Sequence, residues 1–311
     1  MGSFLQTVRI LIVKPSAFGD VVQMLQVVEG AYHAAEAMGM HLDIHWIIKK
    51  EFAEFLRLSP ILSRLFLFDR KGGVSGLIRL MREVRTYSYD FLIDGQGLLR
   101  TGLMTFFAKA AQKIGRGNAR EGSRYFYHQT FLPTKRPFHE VDILQSLWTP
   151  LPMHFVPQRP LTLRLSPWHF PFEPGGILLF PNSHRPKKEW PFFYELTEQL
   201  LEKTSHRCVW VGQSSPAKVP QHPRFVNWIG KTNLADVPLL IQSARCVVAN
   251  DSAPIHLAAA FKKPLVGIYG PTSGQRSGPY PTNEHCILQA PHGNLRKLSP
   301  ETVAKAVLKQ L

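Results

Sequence analysis

The chain alternates short apolar segments, rich in β-branched residues, with longer segments of helical periodicity, and this alternation constrains its fold more than any other feature. The first half contains the strand-like runs VRILIVK (8–14), LDIHWIIKK (42–50) and YDFLIDGQG (89–97), with helix-like segments between them. Short apolar strands separated by helices are typical of a parallel sheet covered by helices on both faces. The first half is therefore predicted to be an α/β domain.

The same alternation occurs a second time after a proline-rich interruption. Prolines recur throughout 149–175, where they disfavour a helix and favour an extended connection. Strand-like runs resume at GGILLFP (175–181) and continue with helices between them. We predict an N-terminal domain over 1–155, a linker over 156–174 and a C-terminal α/β domain over 175–311. This division leaves the last helix of the chain free to pack back on the N-terminal domain.

Polar motifs follow the predicted strands in both domains. Because parallel α/β sheets bind ligands at the carboxyl ends of their strands, we expect a ligand-binding cleft between the two domains.

The composition favours an anionic partner. The chain has 37 Lys and Arg against 22 Asp and Glu, and 100–136 alone holds eight basic residues and one acid. Such a protein prefers nucleic acid, phosphorylated small molecules or an anionic membrane surface. Helix-like spacing aligns several of the basic side chains, which we expect to face an anionic acceptor or a membrane. These residues are Arg100, Lys109, Lys113, Arg116, Arg120 and Arg124.

The sequence contains no pattern typical of a metal site or a membrane span. The three cysteines lie far apart without metal-ligand spacing, and no apolar run reaches about 18 residues. We predict that the protein uses neither a metal nor a cofactor.

The loop KPSAFGDVV (14–22) connects the first strand to the first helix and contains Asp20. An Asp at the start of a helix is a good N-cap, which is the simplest interpretation of Asp20. A carboxylate held at a strand-to-helix turn can also point toward a substrate and accept a proton from a hydroxyl. The residues alone leave both interpretations open.

The segment FPNSHRPKKEWP (180–191) follows the first strand of the second domain and indicates an anion site. Lys187 and Lys188 lie just before a predicted helix, where a cation is unfavourable to the helix dipole. An anion held between these lysines and the helix would relieve the conflict. We favour this interpretation over a solvated charged loop.

The segment VVANDSAPIHLAAAFKKPLVGIYGP (247–271) contains a helix start between two strands. The first-turn amides of a helix that begins near Ser252 are unpaired donors beside a partial positive charge. The Ser252 hydroxyl and His256 enlarge this donor set, and small residues such as Ala253 allow close approach. Asp251 would repel phosphate but binds sugar hydroxyls well. The motif therefore predicts a site for a diphosphate joined to a sugar.

These motifs, together with LIDGQGLLRTGL in the first half, resemble those of glycosyltransferase family 9, the bacterial heptosyltransferases. Their order and spacing match over nearly the whole chain. The resemblance implies a GT-B fold, in which two Rossmann-like parallel-sheet domains face each other across a cleft. It also implies inverting, metal-independent transfer of heptose from ADP-heptose to the inner core of lipopolysaccharide. The implied acceptor is Kdo-lipid A or a heptosyl core, and the implied location is the cytoplasm or the cytoplasmic periphery of the inner membrane.

The functional residues of the family carry over by position. Asp20 matches the general base, Lys188 matches the lysine that steadies the leaving diphosphate, and Ser183 matches a phosphate-contacting hydroxyl. The donor-binding helix tip corresponds to Asp251, Ser252, Ala253 and His256. The acceptor-facing side corresponds to Asp94, Gln96, Arg100, Arg116 and Arg120.

One departure from the family pattern concerns the nucleotide. Family members often carry a glutamate after the strand RCVWVGQ that holds the adenosine ribose, whereas this chain has Gln213-Ser214-Ser215-Pro216 there. A GT-B enzyme for another nucleotide sugar is therefore one alternative. A basic nucleic-acid-binding protein is another, of a different class, which explains the charge although the usual recognition motifs are missing.

Overall fold

The protein, represented by a computed structural model, divides into two compact units. Unit 1 extends to Arg164 and unit 2 begins at Leu165, so the division falls inside the proline-rich 156–174 segment. Along the described residues, every helix is too short or too polar to cross a bilayer. The structure describes residues 6–134, 138–183, 185–214 and 218–311.

The main elements of unit 1 are β1 (Gln6–Val13), α1 (Phe18–Ala37), β2 (Met40–Lys49), α2 (Ala53–Arg57), β3 (Leu62–Phe68), α3 (Gly73–Val84), β4 (Tyr89–Asp94), α4 (Leu99–Phe107), β5 (Ala110–Arg116), β6 (Gln129–Phe131) and α5 (Glu140–Ser146). They build one sheet with the strand order β3-β2-β1-β4-β5-β6. Every neighbouring pair of strands is parallel. The order is that of a Rossmann fold, with the direction of winding reversed between β1 and β4.

The central strand β1 is covered on both faces. Its residues Ile10, Leu11, Ile12 and Val13 are all fully buried, and successive side chains of a strand point to opposite faces. Leu11 and Val13 pack in one cluster with apolar residues of α3 and α4, so these two helices cover the same face of the sheet. Burial on both faces explains why β1 is a continuous apolar run in the sequence.

The main elements of unit 2 are β7 (Ile177–Phe180), α6 (Phe193–Lys203), β8 (Cys208–Trp210), β9 (Phe225–Asn227), α7 (Asp236–Ser243), β10 (Cys246–Asn250), α8 (Ala253–Ala260), β11 (Leu265–Tyr269), α9 (Gly274–Ser277), β12 (Cys286–Gln289) and α10 (Pro300–Leu308). Its sheet is also parallel, with the order β12-β11-β10-β7-β8-β9. Numbered from its own first strand, unit 2 has the same order as unit 1. The reversal here lies between β7 and β10.

The basic segment 100–136 is not one helix, which corrects the expectation drawn from its spacing. Helix α4 ends at Phe107, Lys113 and Arg116 lie on β5, and Arg120 lies in the loop after it. Ile114 of β5 pairs with Ile93 of β4 and is fully buried, so sheet pairing determines the conformation here. The helical spacing of the cations in the sequence therefore does not reflect a helix.

The proline-rich segment packs closely on each unit. The backbone N–H of Thr162 donates to the buried carboxylate of Glu29 at 2.9 Å in unit 1. In unit 2 the rings of Phe170 and Phe172 lie 6.1 and 5.4 Å from the Trp228 ring, measured between centroids. Aromatic and hydrogen-bonded contacts therefore fix a segment that was predicted to be an extended linker.

The last helix, α10, contributes its apolar face to unit 2. Val303, Ala304 and Val307 are fully buried in the cluster that also contains Trp190 and Leu196. The buried side chains of α10 thus pack within unit 2.

Gly115 of β5 provides a test of the packing in unit 1. A Cβ atom at this position would lie 2.1 Å from the ring of Tyr127. Because the ring would have to move, Gly115→Ala should lower the free energy of unfolding by about 1–3 kcal/mol in urea denaturation. Gly76→Ala is the control, since its Cβ would lie 3.9 Å from the nearest atom and inside α3. That variant should be about 0.4–1 kcal/mol more stable than wild type, and equal stability of the two variants would contradict the packing described.

Candidate active site

In both units, polar motifs lie beside the point where the strand order reverses. In unit 1, Asp20 lies in the segment after β1 and Asp94 is the last residue of β4. In unit 2, Lys188 follows β7 and Asp251 follows β10. Doubly wound sheets bind ligands in the crevice outside the carboxyl ends of such strands. Each unit therefore has its candidate site at the reversal point of its own sheet.

Asp20 lies in the first turn of α1, as its third residue. The helix begins at Phe18 with Ala17 as the N-cap, so the interpretation of Asp20 as the N-cap is wrong. Its Oδ2 atom accepts a hydrogen bond from the backbone N–H of Ala17 at 3.2 Å and lies 3.5 Å from Lys14 Nζ. The Asp20 side chain is 39% exposed, whereas that of Lys14 is 1% exposed. A buried cation thus holds a carboxylate that remains accessible to a substrate.

Lys14 belongs to a charge network that continues to Arg116. Lys14 Nζ lies 3.6 Å from Glu140, and Glu140 accepts two hydrogen bonds from the Arg116 guanidinium at 2.5 and 2.8 Å. Arg116 also donates to the carbonyl of Gly95 at 3.1 Å. Cations and carboxylates alternate from Asp20 to Arg116, so the buried charges have counter-charges. Arg116, which the resemblance assigns to the acceptor-facing side, is engaged within unit 1.

Asp94 closes the turn after β4. Its Oδ1 atom accepts hydrogen bonds from the backbone N–H groups of Gln96 and Gly97 at 2.8 and 3.1 Å, and its Oδ2 atom accepts one from the Tyr127 hydroxyl at 2.7 Å. Burial raises the pKa of Asp94, and burial together with the charge of Asp94 raises the pKa of Tyr127, whose hydroxyl therefore keeps its proton. Because Asp94 is fully buried, its contacts favour orientation of the loop over direct contact with an acceptor.

Three other predicted acceptor residues lie beside this turn. The side-chain oxygen of Gln96 is buried and has no hydrogen-bond partner among the described residues. Arg100, the second residue of α4, is exposed, and its guanidinium lies 5.7 Å from the centre of the Phe68 ring. Arg120 is also exposed, while its backbone N–H donates to Gly97 at 2.9 Å. Each of these three side chains can therefore still form a hydrogen bond or an ion pair with a polar ligand.

In unit 2, Lys188 and Asp251 form an ion pair. Lys188 Nζ contacts Oδ2 of Asp251, and the Thr272 hydroxyl donates to the same oxygen. The two charged side chains are 16% and 8% exposed. Within the described residues, Oδ1 of Asp251 accepts no hydrogen bond, and an ammonium group has three donors, of which Asp251 takes one. The pair therefore presents spare donors and an acceptor at one point.

Asn250, the last residue of β10, fixes the loop that carries Lys188. Its side-chain Nδ2 donates to the carbonyl of Pro181 at 2.8 Å, and its Oδ1 accepts from the backbone N–H of Trp190 at 2.9 Å. Asn250 is fully buried, so both bonds are shielded from water. One amide side chain thus clamps both ends of the loop to β10.

Ser183 belongs to the same loop. Its backbone N–H donates to the carboxylate of Glu189 at 2.8 Å, and its hydroxyl oxygen accepts from the backbone N–H of Arg185 at 3.4 Å. These bonds fix the turn in which Ser183 lies. His184, which precedes Arg185, lies outside the described residues.

Helix α8 begins where the sequence predicts. Ser252 is its N-cap, Ala253 is its first residue and His256 lies in its first turn. The Ser252 hydroxyl donates to the carbonyl of Asn250 at 3.0 Å. His256 is 8% exposed, so only an edge of its ring could touch a ligand. The first turn of α8 offers fewer amide donors than the sequence pattern suggests, because Pro254 has no N–H and the N–H of Ile255 donates to the Ser252 carbonyl at 3.2 Å. The backbone N–H of Ala253 is the first-turn donor that can face a ligand.

The stretch that departs from the family pattern adjoins the same loop. The backbone N–H of Ser214 donates to Asn182 Oδ1 at 3.3 Å, and a Cβ on Gly212 would lie 2.2 Å from that oxygen. Gln213 and Ser214 are exposed. Ser215 and Pro216 lie outside the described residues.

No group of three or more His, Cys, Asp or Glu side chains arranged to hold a metal ion occurs among the described residues.

Sequence reasoning missed four residues that organise the two sites. Three of them gave a signal, because Lys14 follows β1, Asn250 ends β10 and Thr272 comes shortly after β11, all at carboxyl ends of strands. Glu140 gave none, since it comes from α5 and meets Lys14 only through the tertiary fold.

Two doubly wound parallel sheets are the architecture of the GT-B fold, which confirms the predicted fold class. The chain belongs to glycosyltransferase family 9 (heptosyltransferase), whose sequence model matches residues 77–307. This membership identifies the protein as an enzyme and favours it over the nucleic-acid-binding alternative.

Several relatives span almost the full chain. The lipopolysaccharide core heptosyltransferase OpsX of Haemophilus influenzae is 27% identical, with 86% of this chain and 81% of that protein covered. Lipopolysaccharide heptosyltransferase 1 of Escherichia coli K12 is 26% identical, with 95% and 98% covered. The structure of E. coli heptosyltransferase WaaC with ADP-2-deoxy-2-fluoro heptose superposes with a TM-score of 0.80 at 23% identity, covering 98% of this chain and all of that one.

Asn250 provides a test of the clamp on the Lys188 loop. Asn250→Leu keeps the side-chain size but leaves the carbonyl of Pro181 and the N–H of Trp190 without their partners. Because each orphaned buried group costs about 1–3 kcal/mol, the free energy of unfolding should fall by about 2–5 kcal/mol in urea denaturation. The exposed Asn283→Leu serves as control and should change it by less than about 0.5 kcal/mol. Similar values for both variants would show that the clamp contributes nothing.

Proposed function

We propose that the protein transfers heptose from ADP-heptose to the inner core of lipopolysaccharide, with inversion at the anomeric carbon. The acceptor is Kdo-lipid A or a heptosylated core. The observation that carries this proposal is the Lys188–Asp251 pair beside the first turn of α8, where a cation suited to a diphosphate and a carboxylate suited to sugar hydroxyls lie together. Family membership and relatives named as lipopolysaccharide heptosyltransferases support the choice of sugar and acceptor.

Unit 2 is proposed to bind the donor. The spare N–H donors of Lys188, the hydroxyl of Ser183 and the backbone N–H of Ala253 at the start of α8 would contact the diphosphate, where the helix dipole also favours negative charge. Oδ1 of Asp251 would accept a hydrogen bond from a sugar hydroxyl. Ser252, Ala253 and His256 would line the same helix start. Charge that develops on the departing ADP would be neutralised by Lys188.

Unit 1 is proposed to bind the acceptor and to supply the base. The acceptor hydroxyl attacks the anomeric carbon as the bond from that carbon to the phosphate oxygen breaks. Asp20 accepts the hydroxyl proton, and ADP leaves with the electron pair of the broken bond. Lys14 holds Asp20 in place. Gln96, Arg100 and Arg120 are proposed to contact the acceptor directly.

Asp94 and Arg116 are proposed to position the acceptor site rather than to touch the acceptor. Both side chains are buried and fully engaged with neighbours in unit 1. Their contacts hold the turn after β4 in shape.

The proposed place of action is the cytoplasm or the cytoplasmic face of the inner membrane, because the acceptor is a glycolipid anchored there. Contact with that membrane would be peripheral. An excess of positive charge is suited to such an anionic surface.

A donor with another nucleotide is the second candidate. The neutral Gln213 and Ser214 occupy the place where the family often has a ribose-binding glutamate. Comparison of ADP-heptose with UDP-linked sugars in one transfer assay decides between the two candidates. Release of ADP with addition of one heptose to a heptose-deficient lipopolysaccharide supports the first.

Asp20→Asn is the most direct test of the base. Asparagine keeps the size of the side chain and an oxygen for the Ala17 N–H, but it cannot take a proton from the acceptor. Turnover should fall by about 10²–10⁴-fold with donor affinity nearly unchanged. The matched control is Asp69→Asn, because Asp69 is an exposed N-cap and asparagine caps equally well. A stable Asp20→Asn enzyme with near-normal turnover would overturn the assignment.

Lys188→Met tests the stabilisation of the leaving group. Methionine preserves much of the side-chain length but removes the charge that faces Asp251. Turnover with ADP-heptose should fall by about 10²–10³-fold, the usual effect of losing one electrostatic stabiliser. Lys203→Met, at the exposed end of α6, should leave turnover unchanged. Equal activity of the two variants in an ADP-release assay would remove Lys188 from the mechanism.

A further inference from the structure

Helix α4 buries Met104 in the core but exposes several other large apolar residues, which is unusual for a surface helix. Its outward side chains include Leu99, Phe106 and Phe107, which are 44%, 56% and 45% exposed, while Thr101 and Thr105 are buried. At 3.6 residues per turn, the three apolar positions lie on one side of the helix and the two threonines on the other. A surface helix normally turns its apolar side to the core. The arrangement in α4 therefore indicates a face that contacts something outside the chain.

Helix α3 extends this apolar face. Val74 and Ile78, one turn apart, are 75% and 48% exposed. The two helices cover the same face of the sheet, and Arg85, just after α3, donates to the carbonyl of Phe107 at 2.6 Å. Among the described residues, six of the ten large exposed apolar side chains belong to α3, α4 or the short helix at Ser123–Phe126. The apolar exposure of the protein is thus concentrated on one face, here named the α3–α4 surface.

The α3–α4 surface is also strongly basic. Residues 70–113 contain eight Lys and Arg against three Asp and Glu, and one of those acids, Asp94, is fully buried. On α3 the basic side chains Arg79 and Arg82 are exposed next to Ile78. Exposed aromatic and aliphatic side chains interspersed with Arg and Lys are typical of surfaces that lie in the headgroup region of a membrane.

We propose that the α3–α4 surface docks on a bilayer that contains anionic lipids. Leu, Val, Ile and Phe side chains enter the boundary between headgroups and acyl chains, and the Arg and Lys side chains contact the headgroup phosphates. A second copy of the chain is a poor occupant, because each copy carries a net charge of +15. The inference rests on the proposed function only in the choice of lipid, since a glycolipid acceptor would be presented at such a surface.

Sedimentation with lipid vesicles tests this proposal without any substrate. The full-length protein should bind vesicles of phosphatidylcholine mixed with phosphatidylglycerol and bind pure phosphatidylcholine much more weakly. Arg79→Glu with Arg82→Glu should lower binding to the anionic vesicles by at least about 25-fold, because each basic side chain near such a surface strengthens binding about five-fold. Phe106→Gln with Phe107→Gln should lower it by roughly ten-fold through lost apolar burial.

Two controls separate this proposal from charge in general and from the proposed function. Lys203→Glu with Lys305→Glu, exposed in unit 2, changes net charge by the same amount and should bind like wild type. Transfer to a soluble, delipidated acceptor should be equal in all variants, so a failure of catalysis would not be mistaken for a failure of docking. Vesicle binding that is unchanged in both α3–α4 variants would overturn the proposal. So would a concentration-dependent dimer that these variants abolish in analytical ultracentrifugation, because it would assign the surface to self-association.

Discussion

The parallel pairing of strands, with the order reversed at one point in each sheet, is the constraint on which the sites depend. Parallel strands have their carboxyl ends at one edge of the sheet, and the loops from the two strands beside a reversal diverge to opposite faces. Phe180 of β7 pairs with Ala249 of β10, so the loops that follow these strands begin side by side. Lys188 and Asp251 lie on these two loops. They are 63 residues apart in sequence, but they form an ion pair because their loops start from neighbouring strands.

Counter-charges prepare both sites before any ligand binds. The buried Lys14 lies between Asp20 and Glu140, and the pair of Lys188 with Asp251 satisfies two partly buried charges in unit 2. Removing an ion from water is costly unless a partner is close, so such pairs hold their members in fixed positions. A site whose charges are already oriented needs little reorganisation when charge develops during the reaction. The charge pairing thus links the stability of each unit to its proposed chemistry.

The sequence is informative where a local pattern determines the structure. The apolar run of β1 and the Ser252 helix start could both be predicted, because periodicity and capping act over a few residues. The N-cap of α1 could not be predicted from the sequence, because Ala17 has no polar side chain of the kind that usually caps a helix. Strand β5 was missed because its sequence, AAQKIGR, has a single β-branched residue and its cations have helical spacing. Contacts such as Lys14 with Glu140 depend on tertiary packing and have no local signal.

The central claim is that the carboxyl edge of the unit 2 sheet binds the donor through Lys188 and the start of α8. A crystal structure of the protein with ADP tests it most directly. The account predicts diphosphate oxygens within about 2.7–3.2 Å of Lys188 Nζ, with Ser252 and Ala253 at the same phosphates. A diphosphate held by the basic residues of unit 1, away from Lys188, would contradict the account.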